Sequence, residues 1–248
     1  MCGIAGVLDR SGAPVTDEVL RRMGDVIAHR GPDGAGEWAA GPVGLANRRL
    51  AIIDPTPRGH MPMRRGGLVI TYNGELYNHL ELRAELERHG HAFTTGTDTE
   101  VVLAAYAQWG AASVERFNGM FALAIWDADR RELFLARDRY GVKPLYLAEA
   151  GPLLLFGSEV KSLLAHGALR ARLSPRHLLE YFTFQNIFSD GTLFEGVRLL
   201  GAGHRVTIGA GGAVRPERYW DFDFREETDG RASDQEYQDE KDAESLHG

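Results

Sequence analysis

A chain of 248 residues is long enough for one large domain or two small ones. With 44% hydrophobic and 9% aromatic residues it can bury a sizeable core, which excludes a disordered protein. The formal net charge is −7, but residues 225–248 hold nine acids and three bases, so residues 1–224 carry a charge of only −1. This nearly neutral body argues against a nucleic-acid-binding surface.

The single cysteine, Cys2, cannot form an internal disulfide, and one thiol is consistent with a reducing compartment. The apolar start at residues 4–8 has no basic segment before it and is followed directly by Asp9 and Arg10, so no secretory signal is predicted. No apolar run approaches the roughly 20 residues that a membrane helix needs. We therefore expect a cytoplasmic protein with no membrane partner.

Helix signals dominate the first part of the chain. For the helix predicted at residues 80–89, Asn78 is a candidate N-cap and Gly90 a candidate stop. Residues 97–100 resemble a capping box that opens another helix. Three segments have the apolar spacing of helices: residues 16–27, 80–89 and 101–109.

Strand signals dominate the middle of the chain, as short apolar runs separated by turns. The runs are residues 45–53, 68–72, 121–126, 132–137, 153–157 and 205–208. The third and fourth runs flank a polar turn and predict an antiparallel hairpin. Segregated helix and strand signals favour an α+β fold over a doubly wound one. We expect one domain at residues 1–224, followed at residues 225–248 by an acidic, disordered tail or linker.

Cys2 directly follows the initiator methionine. Methionine aminopeptidase generally removes Met1 when the next side chain is small, which would leave a thiol and a free α-amine on one residue. An amine of pKa about 7.7–8.0 beside a thiol of pKa about 8.5 is a nucleophile with its own base. This arrangement indicates amide-bond chemistry through a thioester. The alternative is that Cys2 is a small buried hydrophobe.

Asn73 and Gly74 follow the apolar run at residues 68–72 and allow two interpretations. The first is a tight turn, because both residue types tolerate positive φ. The second is an oxyanion hole, in which the Asn73 side-chain amide and the Gly74 backbone N–H both point at a developing oxyanion. The sequence alone leaves both open.

Arg49 and Asp98 also allow two interpretations each. Arg49 either lies at a solvated strand edge or receives a substrate carboxylate through its guanidinium. Asp98 either favours a helix N-terminus or binds a substrate ammonium. For Asp98 the residues themselves favour the helix terminus.

The remaining motifs predict no metal and no nucleotide site. Among nine histidines only His89 and His91 lie close together, at a helix end, so we interpret them as structural. The glycine-rich residues 209–212 fit no phosphate-binding pattern and predict a turn.

Eight ordered segments between residues 2 and 161 carry a family resemblance, which extends to about residue 222. They are Cys2-Gly3-Ile4, His29-Arg30-Gly31-Pro32-Asp33, residues 49–54, 72–78, 95–98, 117–122, 137–146 and 156–161. Together they resemble the glutaminase domain of class II glutamine amidotransferases, which are N-terminal-nucleophile hydrolases. Within that class they are most similar to the N-terminal half of glutamine-dependent asparagine synthetase.

The resemblance implies an α-β-β-α sandwich of two antiparallel sheets and a set of residue roles. Cys2 is the implied nucleophile, Asn73 and the Gly74 backbone the oxyanion hole, and Arg49 the site of the glutamine α-carboxylate. Two further roles follow: Glu75 and Asp98 bind the glutamine amino group, and the backbone at Ile52 and Ile53 lines the pocket. This overturns the helix-terminus preference for Asp98.

The implied enzyme hydrolyses L-glutamine to L-glutamate and ammonia, with the α-amine of Cys2 moving the proton. The family supplies this ammonia to an asparagine-synthetase-type amidation, with aspartate as the default acceptor. Its second domain uses ATP and magnesium through a Ser-Gly-Gly-x-Asp-Ser loop, which this sequence lacks. We therefore expect no cofactor in this chain, and a synthetase domain or subunit that acts in cis or in trans. A homodimer also remains open.

Three alternatives to this function stay open. One is a catalytically silent regulatory or interaction domain of the same fold, although the presence of Cys2 argues against it. Another is an amidotransferase that serves an acceptor other than aspartate. A third is an amidase for other amides, against which the pairing of Arg49 with Asp98 argues.

Overall fold

The computed structural model describes residues 1–209 and 212–224. Within these residues twelve strands form two six-stranded antiparallel sheets. In chain order the strands are β1 (Gly3–Asp9), β2 (Gly34–Ala40), β3 (Val43–Arg49), β4 (Met63–Arg65), β5 (Leu68–Leu76), β6 (Gly119–Asp127), β7 (Glu132–Arg137), β8 (Tyr146–Ala150), β9 (Leu153–Gly157), β10 (Val197–Leu199), β11 (His204–Gly209) and β12 (Glu217–Arg218). The first sheet has the order β10-β8-β9-β1-β3-β2, and the second has the order β12-β11-β7-β6-β5-β4.

Five α-helices occur in the described residues; the first four pack on the outer faces of the two sheets, whereas the fifth buries none of its residues. They are α1 (Asp17–Asp25), α2 (His79–Arg88), α3 (Asp98–Trp109), α4 (Val160–Ala165) and α5 (Pro175–Phe184), with 3-10 turns at Ala28–Arg30, Pro57–Gly59 and Gly110–Arg116. None of the helices in the described ranges is both long enough and apolar enough to cross a membrane.

Three hydrophobic clusters separate the layers. The first joins both sheets face to face, with side chains such as Leu45 of β3 and Val69 of β5. The second packs α2 and α3 on the outer face of the second sheet, and the third packs α1 and α4 on the outer face of the first sheet. The predicted α+β fold, a four-layer α-β-β-α sandwich, is therefore confirmed.

The predicted helices and the hairpin at residues 121–137 are confirmed, with ends shifted by a few residues. The third helix begins earlier than predicted, at Asp98. Half of the predicted capping box is formed, because the Thr97 hydroxyl accepts the Glu100 N–H at 3.2 Å. The Asn78 side chain does not cap α2, since it bonds to the backbone at Arg116 and Asn118 instead.

The turn interpretation of Asn73-Gly74 is excluded, because β5 continues through both residues to Leu76. Gly74 lies opposite Phe121 of β6, and a Cβ at Gly74 would stand 2.5 Å from the Met120 carbonyl oxygen. The glycine is thus required by the close approach of two strands and not by a positive φ.

The predicted strand at residues 45–53 is too long, because β3 ends at Arg49. Its neighbours β1 and β2 provide no pairing residue beyond Gly3 and Gly34, and Asp33 Oδ2 accepts the Ala51 N–H at 2.9 Å. The chain therefore leaves the sheet as a loop. The predicted tail at residues 225–248 and the middle of the glycine-rich turn lie outside the described residues.

Candidate active site

One pocket, of about 120 Å³, collects all the residues that the sequence analysis singled out as a site. It lies where β1 begins, β3 ends, β5 ends and α3 begins. The predicted residues that line it are Cys2, Arg49, Ile52, Ile53, Asn73, Gly74, Glu75 and Asp98. They come from four separate stretches of the chain, so the fold, and not sequence proximity, brings them together.

Cys2 stands directly before β1, the strand inside the first sheet between β9 and β3. Its Sγ accepts the Leu50 N–H at 3.3 Å and lies 3.5 Å from the Leu50 carbonyl oxygen, to which the thiol can donate. Arg30 Nε donates to the Cys2 carbonyl oxygen at 3.0 Å, and Glu159 holds Arg30 through an ion pair at 3.0 Å. Both the side chain and the carbonyl group of the thiol residue are thereby held.

Burial raises the pKa of the Cys2 thiol, although the Leu50 N–H, the N-terminal ammonium and the Arg49 guanidinium act in the opposite direction. A thiol with a raised pKa is protonated near neutral pH. It therefore needs a base before it can attack a carbonyl.

The Asn73 side chain is a buried amide whose Nδ2 has no hydrogen-bond partner within residues 1–209 and 212–224. Buried amide donors are nearly always paired, so an unpaired one that lines a pocket indicates a place for a ligand acceptor. The donor group of the nearby Asn47 provides the contrast, because its Nδ2 donates to Thr71 Oγ1 and to the Tyr72 carbonyl oxygen, although its Oδ1 has no partner within the described residues.

The Gly74 N–H points in the direction of the pocket for a geometric reason. Backbone groups alternate sides along an antiparallel strand. The Tyr72 carbonyl and the Leu76 N–H bond to Asn47 and Asp98, on the side of β5 away from β6. Gly74 lies two residues from Tyr72 and two from Leu76, so its backbone groups face the same side as theirs. Phe121, the residue opposite Gly74 on β6, directs its own N–H and carbonyl towards Asp138. The Gly74 N–H is therefore not used in the β5–β6 ladder.

Arg49 ends β3 and ties down the loop that follows. Its guanidinium donates to the carbonyl oxygens of Asp54 at 2.6 Å, Thr56 at 3.1 Å and Ile53 at 3.4 Å. Gly59 leaves room for this guanidinium, since a Cβ there would collide with it. Arg49 is thus not a solvated edge residue, because it lines the pocket and shapes the loop that carries Ile52 and Ile53.

Asp98 is the first residue of α3, but Thr97 provides the side-chain cap. The buried Asp98 carboxylate accepts the Leu76 N–H at 2.9 Å and the Tyr72 hydroxyl at 3.1 Å, both on Oδ2. Burial raises the pKa of Asp98, and these two donors and the charge of His79 partly oppose the rise. The half-buried Glu75 adds a second carboxylate to the pocket wall.

Sequence reasoning missed several pocket residues, chiefly Tyr72, Met61, Met120 and Lys143. Lys143 is only 5% exposed, and its Nζ has no hydrogen-bond or ion-pair partner in the part of the chain that the structure describes. Both backbone groups of Lys143 are held, by Arg137 Nε and by the Asp138 carboxylate. The family-like segment at residues 137–146 contains Lys143, but nothing in its pattern indicates that this side chain reaches the pocket.

The pocket therefore combines two cations, Arg49 and Lys143, with two carboxylates, Glu75 and Asp98. Such a lining suits a small zwitterion, and the thiol with the Asn73 amide and the Gly74 N–H suits attack on a carbonyl. No cluster of histidine, cysteine and acidic side chains suited to a metal ion occurs within the described ranges.

Comparisons with known proteins agree with this geometry. Residues 1–220 match the family described as glutamine amidotransferase domain. The chain is 39% identical over 235 residues to asparagine synthetase [glutamine-hydrolyzing] 3 of Bacillus subtilis, covering 92% of this chain and 38% of the relative. It is 35% identical over 239 residues to amidase chry2 of Gibberella zeae, covering 90% of this chain and 35% of the relative. The chain thus spans less than two fifths of the length of these relatives.

Solved structures show the same fold at low sequence identity. The glutamine phosphoribosylpyrophosphate amidotransferase of B. subtilis superposes with a TM-score of 0.63 at 20% identity, over 88% of this chain and 49% of that one. A structure described as the allosteric regulatory enzyme of purine biosynthesis gives a TM-score of 0.65 at 19% identity, with the same coverages.

Proposed function

The chain belongs to the class II glutamine amidotransferase domains and is homologous to the N-terminal domain of asparagine synthetases; on that premise we propose that it hydrolyses L-glutamine to L-glutamate and ammonia. One observation carries the proposal. The lone thiol shares its pocket with two N–H donors: the Asn73 amide, which is unpaired within the described residues, and the Gly74 backbone N–H, which the β5–β6 ladder does not use. A thioester-forming amidase needs this combination.

The reaction begins when Met1 has been removed, so that the α-amine of Cys2 is free. This amine takes the proton of the thiol, whose pKa burial has raised, and the thiolate attacks the side-chain carbonyl carbon of glutamine. The Asn73 Nδ2 and Gly74 N–H donate to the oxyanion. The amine then returns the proton to the departing ammonia, and water cleaves the γ-glutamyl thioester to release glutamate and restore the thiol.

The charged ends of glutamine match the charges of the pocket. Arg49 receives the α-carboxylate, and Asp98 with Glu75 receives the α-ammonium, while the backbone at Ile52 and Ile53 closes one wall. Two fixed ends hold the amide carbon at attack distance from Sγ, which lowers the entropic cost of the reaction.

The use of the ammonia is a separate proposal, because the relatives are much longer than this chain. We propose that a synthetase domain or subunit, in cis or in trans, consumes it in an asparagine-synthetase-type amidation with aspartate as the default acceptor. ATP and magnesium would bind to that partner and not to this domain. A homodimer and a cytoplasmic location, where the single thiol stays reduced, belong to the same proposal.

The test combines intact-mass measurement with an assay of ammonia release from L-glutamine. We expect the protein that lacks Met1 to release ammonia and the Cys2→Ala variant to release none, with an unchanged melting temperature as the control for folding. Because Cys2 is the only cysteine, alkylation of the wild-type protein by iodoacetamide should add one label and remove the activity. Ammonia release that survives in Cys2→Ala would disprove the mechanism.

A further inference from the structure

Tyr72 is a buried tyrosine of β5 that reaches the pocket although the sequence analysis gave it no role. The residue is 2% exposed, and its hydroxyl donates to Asp98 Oδ2 at 3.1 Å. Burial and the neighbouring carboxylate raise the pKa of Tyr72 well above its usual value. The hydroxyl therefore keeps its proton and acts as a permanent donor.

Asp98 needs donors of this kind because burial disfavours its charged form. Two donors from β5, the Leu76 N–H and the Tyr72 hydroxyl, converge on Oδ2. Both of these bonds fall on Oδ2, and a carboxylate oxygen has two lone pairs, so Oδ1 keeps accepting capacity. Because Asp98 lines the pocket, this capacity is available to a ligand there.

Tyr72 also stands close to the reacting centre. The charges of Cys2 and Glu75 both act on its hydroxyl, and all of these residues line the same pocket. We infer that Tyr72 is a positioning residue for substrate recognition, which keeps the Asp98 carboxylate ionised and aimed at the α-ammonium of the substrate. This inference rests on the proposed glutaminase function and adds Tyr72 to the residues that determine its substrate specificity.

The charged groups around Asp98 come from several elements. Glu75 lies on β5, His79 on α2, and Cys2 before β1, while Arg49 and Lys143 line other walls of the pocket. A Tyr72→Phe change leaves all of them in place and removes one hydroxyl. Tyr106 provides a matched control, because it is 4% exposed in the same hydrophobic cluster but does not line this pocket.

The experiment compares the wild type, Tyr72→Phe and Tyr106→Phe on two substrates. One substrate is L-glutamine, and the other is 4-carbamoylbutanoate, which has the same amide and carboxylate but no α-ammonium. We expect Tyr72→Phe to lower kcat/KM for L-glutamine about tenfold or more, mainly through KM, because a hydrogen bond to a charged group is lost. The value for 4-carbamoylbutanoate and both values of Tyr106→Phe should stay near those of the wild type.

The pH profile provides a second readout. Removing a donor to the ionised carboxylate raises the pKa of Asp98, so the acid limb of kcat/KM for L-glutamine should move to higher pH. If Tyr72 only supported the fold, its replacement would change neither the acid limb nor the ratio of the kcat/KM values for the two substrates.

Equal losses on both substrates, or an unchanged ratio and acid limb, would overturn the inference. Calorimetric binding of L-glutamine to Cys2→Ala and to Cys2→Ala/Tyr72→Phe separates this failure from that of the proposed function. Binding that weakens about tenfold with the second change supports the role of Tyr72 even without turnover, and equal binding refutes it. No binding of L-glutamine to Cys2→Ala would refute both proposals.

Discussion

Replacing Asn73 by alanine should lower the activity strongly while changing the stability of the fold little. The Asn73 Nδ2 has no partner in the described part of the chain, so its removal costs the folded state no hydrogen bond. We expect the free energy of unfolding to change by less than about 1 kcal/mol, because an unpaired buried donor is itself unfavourable. Activity should fall about 10²- to 10³-fold, the usual effect of losing one oxyanion donor.

Asn47→Ala should have the opposite profile. The Asn47 amide is equally buried, but it donates to Thr71 Oγ1 at 3.1 Å and to the Tyr72 carbonyl oxygen at 3.2 Å. Its loss leaves the Tyr72 carbonyl unpaired, which costs roughly 1–3 kcal/mol, and removal of the unpaired Asn47 Oδ1 offsets part of this cost. Asn47 does not line the pocket, so we expect turnover to fall less than about tenfold, well below the oxyanion effect.

The assay pairs chemical denaturation with ammonia release, both at 25 °C and below any unfolding transition. The comparison needs both variants, since a loss of activity through partial unfolding would affect Asn47→Ala first. If Asn73→Ala lost as much stability as Asn47→Ala, or kept more than about a tenth of the wild-type activity, the assignment of Asn73 to the oxyanion hole would be refuted.

Two further predictions concern charged residues. Arg49→Ala should raise the KM for L-glutamine, measured by initial rates of ammonia release, because the carboxylate loses its partner and the loop loses three hydrogen bonds; an unchanged KM would remove Arg49 from the site. Burial raises the pKa of Glu100, but hydrogen bonds from Thr95 and Thr94 outweigh it, so the net pKa is lowered. The stability that Glu100 provides is therefore present above its unfolded pKa of about 4.3 and is lost as the pH falls through the lower folded value. Glu100→Gln should flatten the acid-side decline in denaturation midpoints, and an identical decline in both proteins would contradict this reasoning.

The parts of the fold that could be predicted from the sequence are those with local signals. The stripe of α1, the start of α3 and the hairpin of β6 and β7 depend on spacing and turn residues within a few positions. By contrast, β1 shows no alternation of polar and apolar residues, because both faces of the strand are covered and six of its seven residues are buried. Its apolar run could be recognised, but its place inside the sheet depends on distant partners, β3 and β9.

The candidate site could be predicted only partly, for the same reason. The residue patterns left Asn73, Arg49 and Asp98 with two interpretations each, and the family resemblance decided between them. The close approach of β5 and β6 excludes the turn at Gly74, and this contact between distant segments cannot be recognised from the residues next to Gly74. Tyr72 and Lys143 were missed because ordinary strand and turn residues acquire a role only where separate segments meet. The catalytic and binding roles themselves remain predictions for the variants above.

The position of Met1 has a practical consequence for anyone who prepares this protein. Met1 lines the same pocket as Cys2, so whatever precedes the cysteine occupies space that glutamine would need. An affinity tag or leftover vector-encoded residues at the amino terminus would occupy this space and would also block the free α-amine. Recombinant protein should therefore carry its tag on the carboxyl-terminal side, and a preparation that proves inactive should first be weighed by mass spectrometry.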